Sequence, residues 1–195
     1  MNVAKIRSGQ AVPPGVWDEV VYAIGSGGFE APPPNARIAM PVWTPEGKFN
    51  SLRSNVKRLM REGFVKYEAS DLATLRMLKS LGAKDLTADW TLYAFNRYAL
   101  KLLSDMGVKR FVASPENNAG NLAFLKTSGF EVEFLSRQST PLFISVTRPE
   151  AQSELAVFRL GDVWVTTKRT PREWPGGTRV DYSWDAGEND DPETC

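Results

Sequence analysis

The chain of 195 residues contains no histidine. That excludes Ser-His-Asp and Cys-His nucleophilic dyads, histidine-ligated zinc or non-haem iron, and the usual proton shuttle near neutral pH. Its one cysteine is the last residue, Cys195. A single thiol closes no intrachain disulfide and holds no zinc or iron–sulfur cluster from within the chain, and without a histidine it makes a poor nucleophile. Charge of one sign is also missing: 24 Lys+Arg against 23 Asp+Glu leave a net charge of +1. Such a balance supplies no overall field to attract nucleic acid, anionic lipid or acidic substrates. The first ten residues, MNVAKIRSGQ, lack the apolar run of a signal peptide, and no stretch approaches the roughly 18 to 20 apolar residues of a membrane span. The expectation is a cytoplasmic protein without a membrane partner, and a lone cysteine fits a reducing compartment.

What is present is ordinary globular material, with 42% hydrophobic and 24% charged residues. Residues 37–43 (RIAMPVW) read as a short buried strand. From Lys48 to Arg61, Phe49, Leu52, Val56, Leu59 and Met60 recur at helical spacing, and Gly63 follows at a stopping position. The same order then repeats. Strand 64–69 precedes a helix capped by Asp71 and carrying Leu72, Leu75, Met77, Leu78 and Leu81, ended by Gly82. Strand 85–90 precedes a helix with Tyr98, Leu100, Leu102, Leu103 and Met106, stopped by Gly107. Strand 109–113 precedes a helix that Asn117 or Asn118 begins and Gly129 ends. The four glycines stand 19, 25 and 22 residues apart, one βα unit each.

Parallel neighbours need a crossover helix, so this cadence predicts a parallel sheet. After Phe130 the runs FEVEFL, PLFISV, LAVFRL and DVWVTTKR predict an antiparallel or mixed extension. The expected organisation is an N-terminal segment 1–35 with one strand at 19–24 and a Pro/Gly linker, a βα-repeat domain 36–150, a β extension 151–180 and an acidic disordered tail 181–195. A complete (β/α)8 barrel takes about 250 residues. The predicted fold is therefore α/β, a partial or modified (β/α) barrel of about four βα units with a β-rich C-terminal extension. An open doubly wound sheet is the alternative.

In parallel α/β folds ligands bind beyond the C-terminal strand ends. That rule selects Glu68 and Ser70, then Asp89 and Trp90, then Ser114, Pro115 and Glu116, then Glu133, with Asn96 at the start of a helix beside the same rim. In the catalytic reading Glu116 is a general base, accompanied by Asp89 and by Asn96 as donor to a carbonyl oxygen, while Glu68, Ser114 and Trp90 bind substrate. Each residue also has a structural reading. Asp71 and Asp89 suit helix caps, residues 114–117 suit a strand-to-helix turn with Glu116 favoured by the dipole, and Asn96 and Asn121 suit loop carbonyls. Trp43, Trp90, Tyr93, Phe95 and Tyr98 read as packing residues rather than a stacking platform. No metal ligand set and no cofactor motif is found. The run Gly25-Ser26-Gly27-Gly28 lacks a P-loop lysine and reads as linker. Lys168, Arg169, Arg172 and Arg179 around Trp174 adjoin an acidic tail and read as a solvated strand edge, not a nucleic-acid interface.

Residues 85–96 (DLTADWTLYAFN), the following YALKLLSDMGVKRFVASPEN and residues 138–149 (QSTPLFISVTRP) together resemble the collagenase-like peptidases catalogued as U-32, over roughly residues 37–149. The resemblance implies a barrel-like α/β fold and gives Asp89, Asn96, Ser114, Pro115, Glu116 and Pro141 places in the family's pattern. It carries over no catalytic residues, because that family's peptidase mechanism is unassigned. Several relatives hydroxylate ribosomal or transfer RNA bases or assist ubiquinone hydroxylation with a cysteine-ligated iron–sulfur cluster; here Ser136, Gln138 and Ser145 stand in a region without cysteine, so cluster chemistry is not expected. The implied partners are a peptide or small polar ligand. The alternative is a non-catalytic subunit that associates with a longer homologue or with an RNA-base hydroxylation system.

Overall fold

A computed structural model describes residues 1–25, 29–145, 156–160, 163–171 and 178–182, with side chains described as far as Leu135. The elements run β1 (Asn2–Arg7), β2 (Glu19–Ala23), β3 (Arg37–Ala39), α1 (Glu46–Arg61), β4 (Lys66–Ala69), α2 (Leu72–Ser80), β5 (Asp85–Ala88), α3 (Arg97–Asp105), β6 (Val108–Ala113), α4 (Ala119–Thr127), β7 (Glu131–Ser145), β8 (Ala156–Leu160), β9 (Val163–Pro171) and β10 (Thr178–Tyr182). A 3-10 turn, Trp90–Leu92, follows β5.

The helices begin and end where local chemistry dictates. Asp71 accepts from the Thr74 N–H at 2.7 Å, and the Thr74 hydroxyl accepts from the Asp71 N–H at 3.2 Å, a reciprocal cap that starts α2. Asn96 and Asn118 cap α3 and α4. In α1, Leu52, Val56 and Leu59 are buried at a spacing of three and four, so one face of the helix meets the sheet. Gly63, Gly82, Gly107 and Gly129 all have positive φ, between 80° and 97°. A Cβ at any of them would meet nothing within 4 Å, so their requirement is backbone conformation and not space.

Strands β1 to β7 are parallel and lie in chain order. A doubly wound sheet reverses its order at a switch point; this one does not, which removes that alternative. The sheet curls strongly. Lys5 of β1 meets Asp89 beyond β5 at 3.2 Å, Arg110 of β6 meets Glu19 of β2 at 3.4 Å, and Arg37 of β3 meets Glu133 of β7 at 2.6 Å. Each pair stands four strands apart in the order, which in a flat sheet is about 19 Å at ~4.8 Å per strand. Strand β10 pairs in parallel with both β1 and β7, the two outermost of the seven. Beyond its β10 pairing, β7 continues into antiparallel ladders with β9 and, through it, β8.

Alternation separates the two faces. The convex face carries Ile38, Tyr67, Leu86, Phe111 and Phe134 against Leu52, Leu59, Leu75, Leu78, Leu100 and Leu125 of the helices. The concave face carries a smaller apolar set, Val3, Val21, Ala39, Trp90, Val112 and Leu135, and a group of charged residues.

Several expectations need correcting. The sequence pattern does not mark strand β1, because one of its two buried concave positions, Val3 and Lys5, is a lysine and this breaks the apolar alternation. The runs FEVEFL and PLFISV are one strand, β7, and β10 crosses the expected boundary at 180/181 between the β extension and the acidic tail. Strands β1 and β2 belong to the same sheet as the βα units, so the sheet crosses the expected boundary at 35/36. Leu72 and Leu102, counted on apolar helix faces, are exposed, as are Trp43, Tyr93 and Tyr98, read as packing residues. Residues 26–28 of the linker, Arg172, Trp174 and, past Tyr182, the acidic tail with Cys195 lie outside the described residues. Among those described, no helix is long and apolar enough to cross a membrane.

Candidate functional site

Several strands open with a charged residue on the concave face, and the register sets charges against one another: Lys66 lies opposite Asp85, and Arg110, the third residue of β6, opposite Glu131. Arg37, fully buried, is the hub. Its Nη2 donates to Glu19 and, at 2.6 Å, to Glu133 Oε1; its Nη1 donates to Glu133 Oε2 at 3.0 Å and to Glu68 Oε2 at 3.2 Å. Arg110 donates to Asp85 at 2.5 Å, and Lys66 to Glu19 at 2.8 Å. Towards the C-terminal ends, Lys5 Nζ donates to Glu68 Oε1 at 2.6 Å and Asp89 Oδ2 at 3.2 Å. Removing a charge from water costs several kcal/mol unless partners replace the water, so the network exists only because each member is paired. Two atoms within it, Arg37 Nε and Thr87 Oγ1, are buried with no hydrogen-bond partner among the described residues.

The network splits the titration of its carboxyls. Burial pushes Glu68 up, but Lys5 and Arg37 outweigh it and hold the group below the ordinary carboxylate value. Burial raises Glu133 as well; there Arg37 does not compensate, because the charges of Glu68 and Glu19 add to the penalty. Burial lowers Lys5, and the charges of Asp89 and Glu68 reverse this, leaving the ammonium above its usual range. Burial likewise acts against the Arg37 guanidinium, which Glu133 and the other carboxylates nonetheless hold firmly charged.

Because the strands are parallel, Glu68, Ser70, Asp89, Trp90, Ser114, Pro115 and Glu116 lie at one end of the sheet, whereas Glu133, expected at a strand end, is the third residue of β7 because FEVEFL and PLFISV form one continuous strand. Glu68 and Asp89 are brought together through Lys5, and both are buried. Asp89 also accepts from the Trp90 N–H at 2.9 Å, the capping role considered for it. Trp90 is buried in the concave apolar group. Ser70 donates to the Met40 carbonyl at 2.8 Å. The Asn96 side-chain oxygen caps α3: Oδ1 accepts from Tyr98 N and Ala99 N, both at 3.0 Å. Ser114 is buried, and its Oγ accepts from the Glu116 N–H at 3.2 Å, which closes the turn after β6 and leaves the Glu116 side chain exposed. Glu133 is held by Arg37. Beside the rim Tyr93 adopts a left-handed backbone (φ 49°) and stacks on Phe95 with ring centroids 5.6 Å apart.

Glu68 and Asp89, with their charges matched by a clamped ammonium, are anchoring groups and not open bases. Glu116 faces solvent. The sequence reading does not select Lys5, Arg37, Glu19 or Arg110; a charged residue at the start of β2 and of β3 is a usable signal for Glu19 and Arg37, whereas Lys5 and Arg110 lie inside β1 and β6. Among the described residues no group of three or more Asp, Glu or Cys side chains is placed to hold a metal ion. Compared with protein-family models, with curated proteins and with solved structures, the chain matches none.

Proposed function

We propose that the chain is a short collagenase-like peptidase of the U-32 type, built on a modified (β/α) barrel of about four βα units with a β-rich extension. It binds an extended peptide or small polar ligand at the C-terminal rim. The barrel reading is supported by the pairing of β10 with both β1 and β7 and by ion pairs that span four strands. The functional reading rests on one observation: Glu116 is exposed at the end of β6, whereas Glu68 and Asp89 at the same end are buried and neutralised by Lys5. In this reading Glu116 removes a proton from water as the water oxygen adds to the amide carbon. The C–N bond then breaks and the proton passes to the departing amine, so peptide and water become a carboxylic acid and an amine. Asn96 keeps its amide nitrogen for a ligand acceptor. Lys5, Glu68 and Asp89 hold the rim rigid and Ser114 fixes the turn that carries Glu116. Incubation with gelatin and a mixed peptide library, with and without divalent cations, tests this. Cleavage by the native chain and none by Glu116→Gln is expected; equal behaviour of the two defeats the catalytic reading.

One feature favours the alternative of a non-catalytic subunit: β8 carries a ladder on one side only among the described residues, and an open strand edge is a template for another chain. Co-purification of a stoichiometric homologue or RNA-modifying enzyme supports that reading, and a monomer free of partners opposes it.

A further inference from the structure

The turn after β5 holds an aromatic ring outside the core in a conformation that costs energy. Leu92 and Ala94 pack against the core on the helix side of the sheet, whereas Tyr93 between them is 48% exposed. Its backbone is left-handed, φ 49° and ψ 50°, a region that bulky L-residues rarely enter, and burial of the ring does not offset that cost. Two hydrogen bonds hold it there: the Tyr93 N–H donates to the Trp90 carbonyl at 3.0 Å, and the Phe95 N–H donates to the Tyr93 carbonyl at 2.8 Å. The ring is held as well. Phe95 stacks on it with centroids 5.6 Å apart and planes 21° apart, and the buried Trp90 meets it in a T-shaped pair at 6.3 Å and 76°. Backbone strain maintained by surrounding contacts clusters where ligands are clamped. The turn also stands at the rim already described: Trp90–Leu92 lies against β6, the strand whose end carries Glu116.

We propose that the part of the Tyr93 ring left uncovered by Phe95 and Trp90 is a subsite for one aromatic side chain of the bound peptide. That side chain lies on Tyr93 as the third member of a stack begun by Phe95, in the offset arrangement that aromatic rings prefer. The local charges favour an uncharged ring. Glu116 brings a negative charge to this rim, and Arg97 at the start of α3, seated over the Tyr98 ring at 4.9 Å, brings a positive one. Neither a cation nor an anion is therefore drawn to the platform by its surroundings. A ring already fixed by its neighbours loses little freedom on binding, so the contact is available in full for selection among peptides. The inference rests on the peptide reading above and names the side chain that the rim selects.

The test is an NMR titration of the full chain that follows the tyrosine ring signals. The probes are blocked peptides of glycine with one central phenylalanine, cyclohexylalanine or lysine. Tyr93→Phe keeps the ring, whereas Tyr93→Gly and Tyr93→Asn remove it and place residues that accept a left-handed backbone. The expected result is saturable movement of the Tyr93 ring signals with the phenylalanine peptide and roughly threefold weaker binding of the cyclohexylalanine one, which has the bulk without the flat face. Tyr93→Phe should bind as the native chain does. Both variants without the ring should bind the phenylalanine peptide roughly tenfold more weakly, with melting temperatures close to native. Equal affinity for the phenylalanine and cyclohexylalanine peptides, preference for lysine, or phenylalanine binding that survives in Tyr93→Gly and Tyr93→Asn overturns the proposal. A large fall in melting temperature in both variants does so too, because the ring is then a packing residue. Aromatic binding without peptide cleavage leaves this subsite standing and removes the catalytic reading. Cleavage with no preference for aromatic residues does the reverse.

Discussion

Glu68 and Glu133 hold the same guanidinium, yet neutralising one should cost far more than neutralising the other. Glu68 lies between two cations, 2.6 Å from Lys5 and 3.2 Å from Arg37, and is 1% exposed. Removing its charge leaves Lys5 with Asp89 alone as its described carboxylate partner. Breaking a buried ion pair from one side costs about 3–5 kcal/mol; with Asp89 still beside Lys5, and Glu133 and Glu19 still on Arg37, the lower end applies. Glu68→Gln should therefore lose about 3 kcal/mol, or roughly 6–12 °C in melting temperature for a chain of this size. Glu133, also 1% exposed, shares Arg37 with Glu19 and Glu68, whose charges oppose its own. Glu133→Gln keeps the shape, relieves that repulsion, and should change stability by less than about 1 kcal/mol in either direction.

The pH dependence follows from the same shifts. Glu133 is raised above its ordinary value of 4.5, so the folded state takes up its proton before the unfolded chain does, and mild acid above pH 4.5 stabilises the fold at this residue. Glu68 is lowered, so its contribution is present above 4.5 and lost as pH falls through its lowered pKa. Urea unfolding followed by tryptophan fluorescence and far-ultraviolet circular dichroism at pH 7 and pH 5 measures both. Equal costs for the two variants at pH 7, or a neutral Glu68→Gln, would refute the account of the network.

Lys5 gives an alkaline counterpart. Its pKa is raised above 10.5, so its stabilisation is complete below that pH and is lost as pH rises through the raised value; the buried Tyr67 phenol, pushed up by burial, acts in the same direction. Melting temperatures between pH 9 and 12 should fall steeply only above pH 10.5, and more shallowly in Lys5→Met. Two glycines should respond with opposite signs. Gly82→Ala, at φ +88° with open space around an added Cβ, should lose about 1–2 kcal/mol of stability through backbone strain alone. Gly47→Ala, inside α1 with nothing within 4 Å, should gain up to about 1 kcal/mol. Chemical denaturation of the two variants side by side checks the pair, and two losses would contradict the helical placement of Gly47.

By itself the sequence determined the local elements of the middle of the chain. Apolar spacing marked α1 to α4, the four glycines marked their ends, Asp71 announced a cap, and Asn96 and the pair Asn117/Asn118 marked helix starts, all features within a few residues. The rule that parallel strands share a C-terminal rim also followed from the cadence alone, and it brought Asp89, Ser114 and Glu116 to one end. Only the tertiary structure decided which polar residues are spent on holding the fold. Lys5 and Asp89 are 84 residues apart and Arg37 and Glu133 are 96 apart, and neither pair exists until the sheet curls. A lysine in β1 or an arginine opening β3 looks like a solvated surface charge until curvature closes around it and leaves a carboxylate from the far side of the sheet as its partner in place of water. The same curvature turned Glu68 and Asp89 from candidate reagents into anchors and left Glu116 outside, a distinction that depends on burial and that no local pattern encodes.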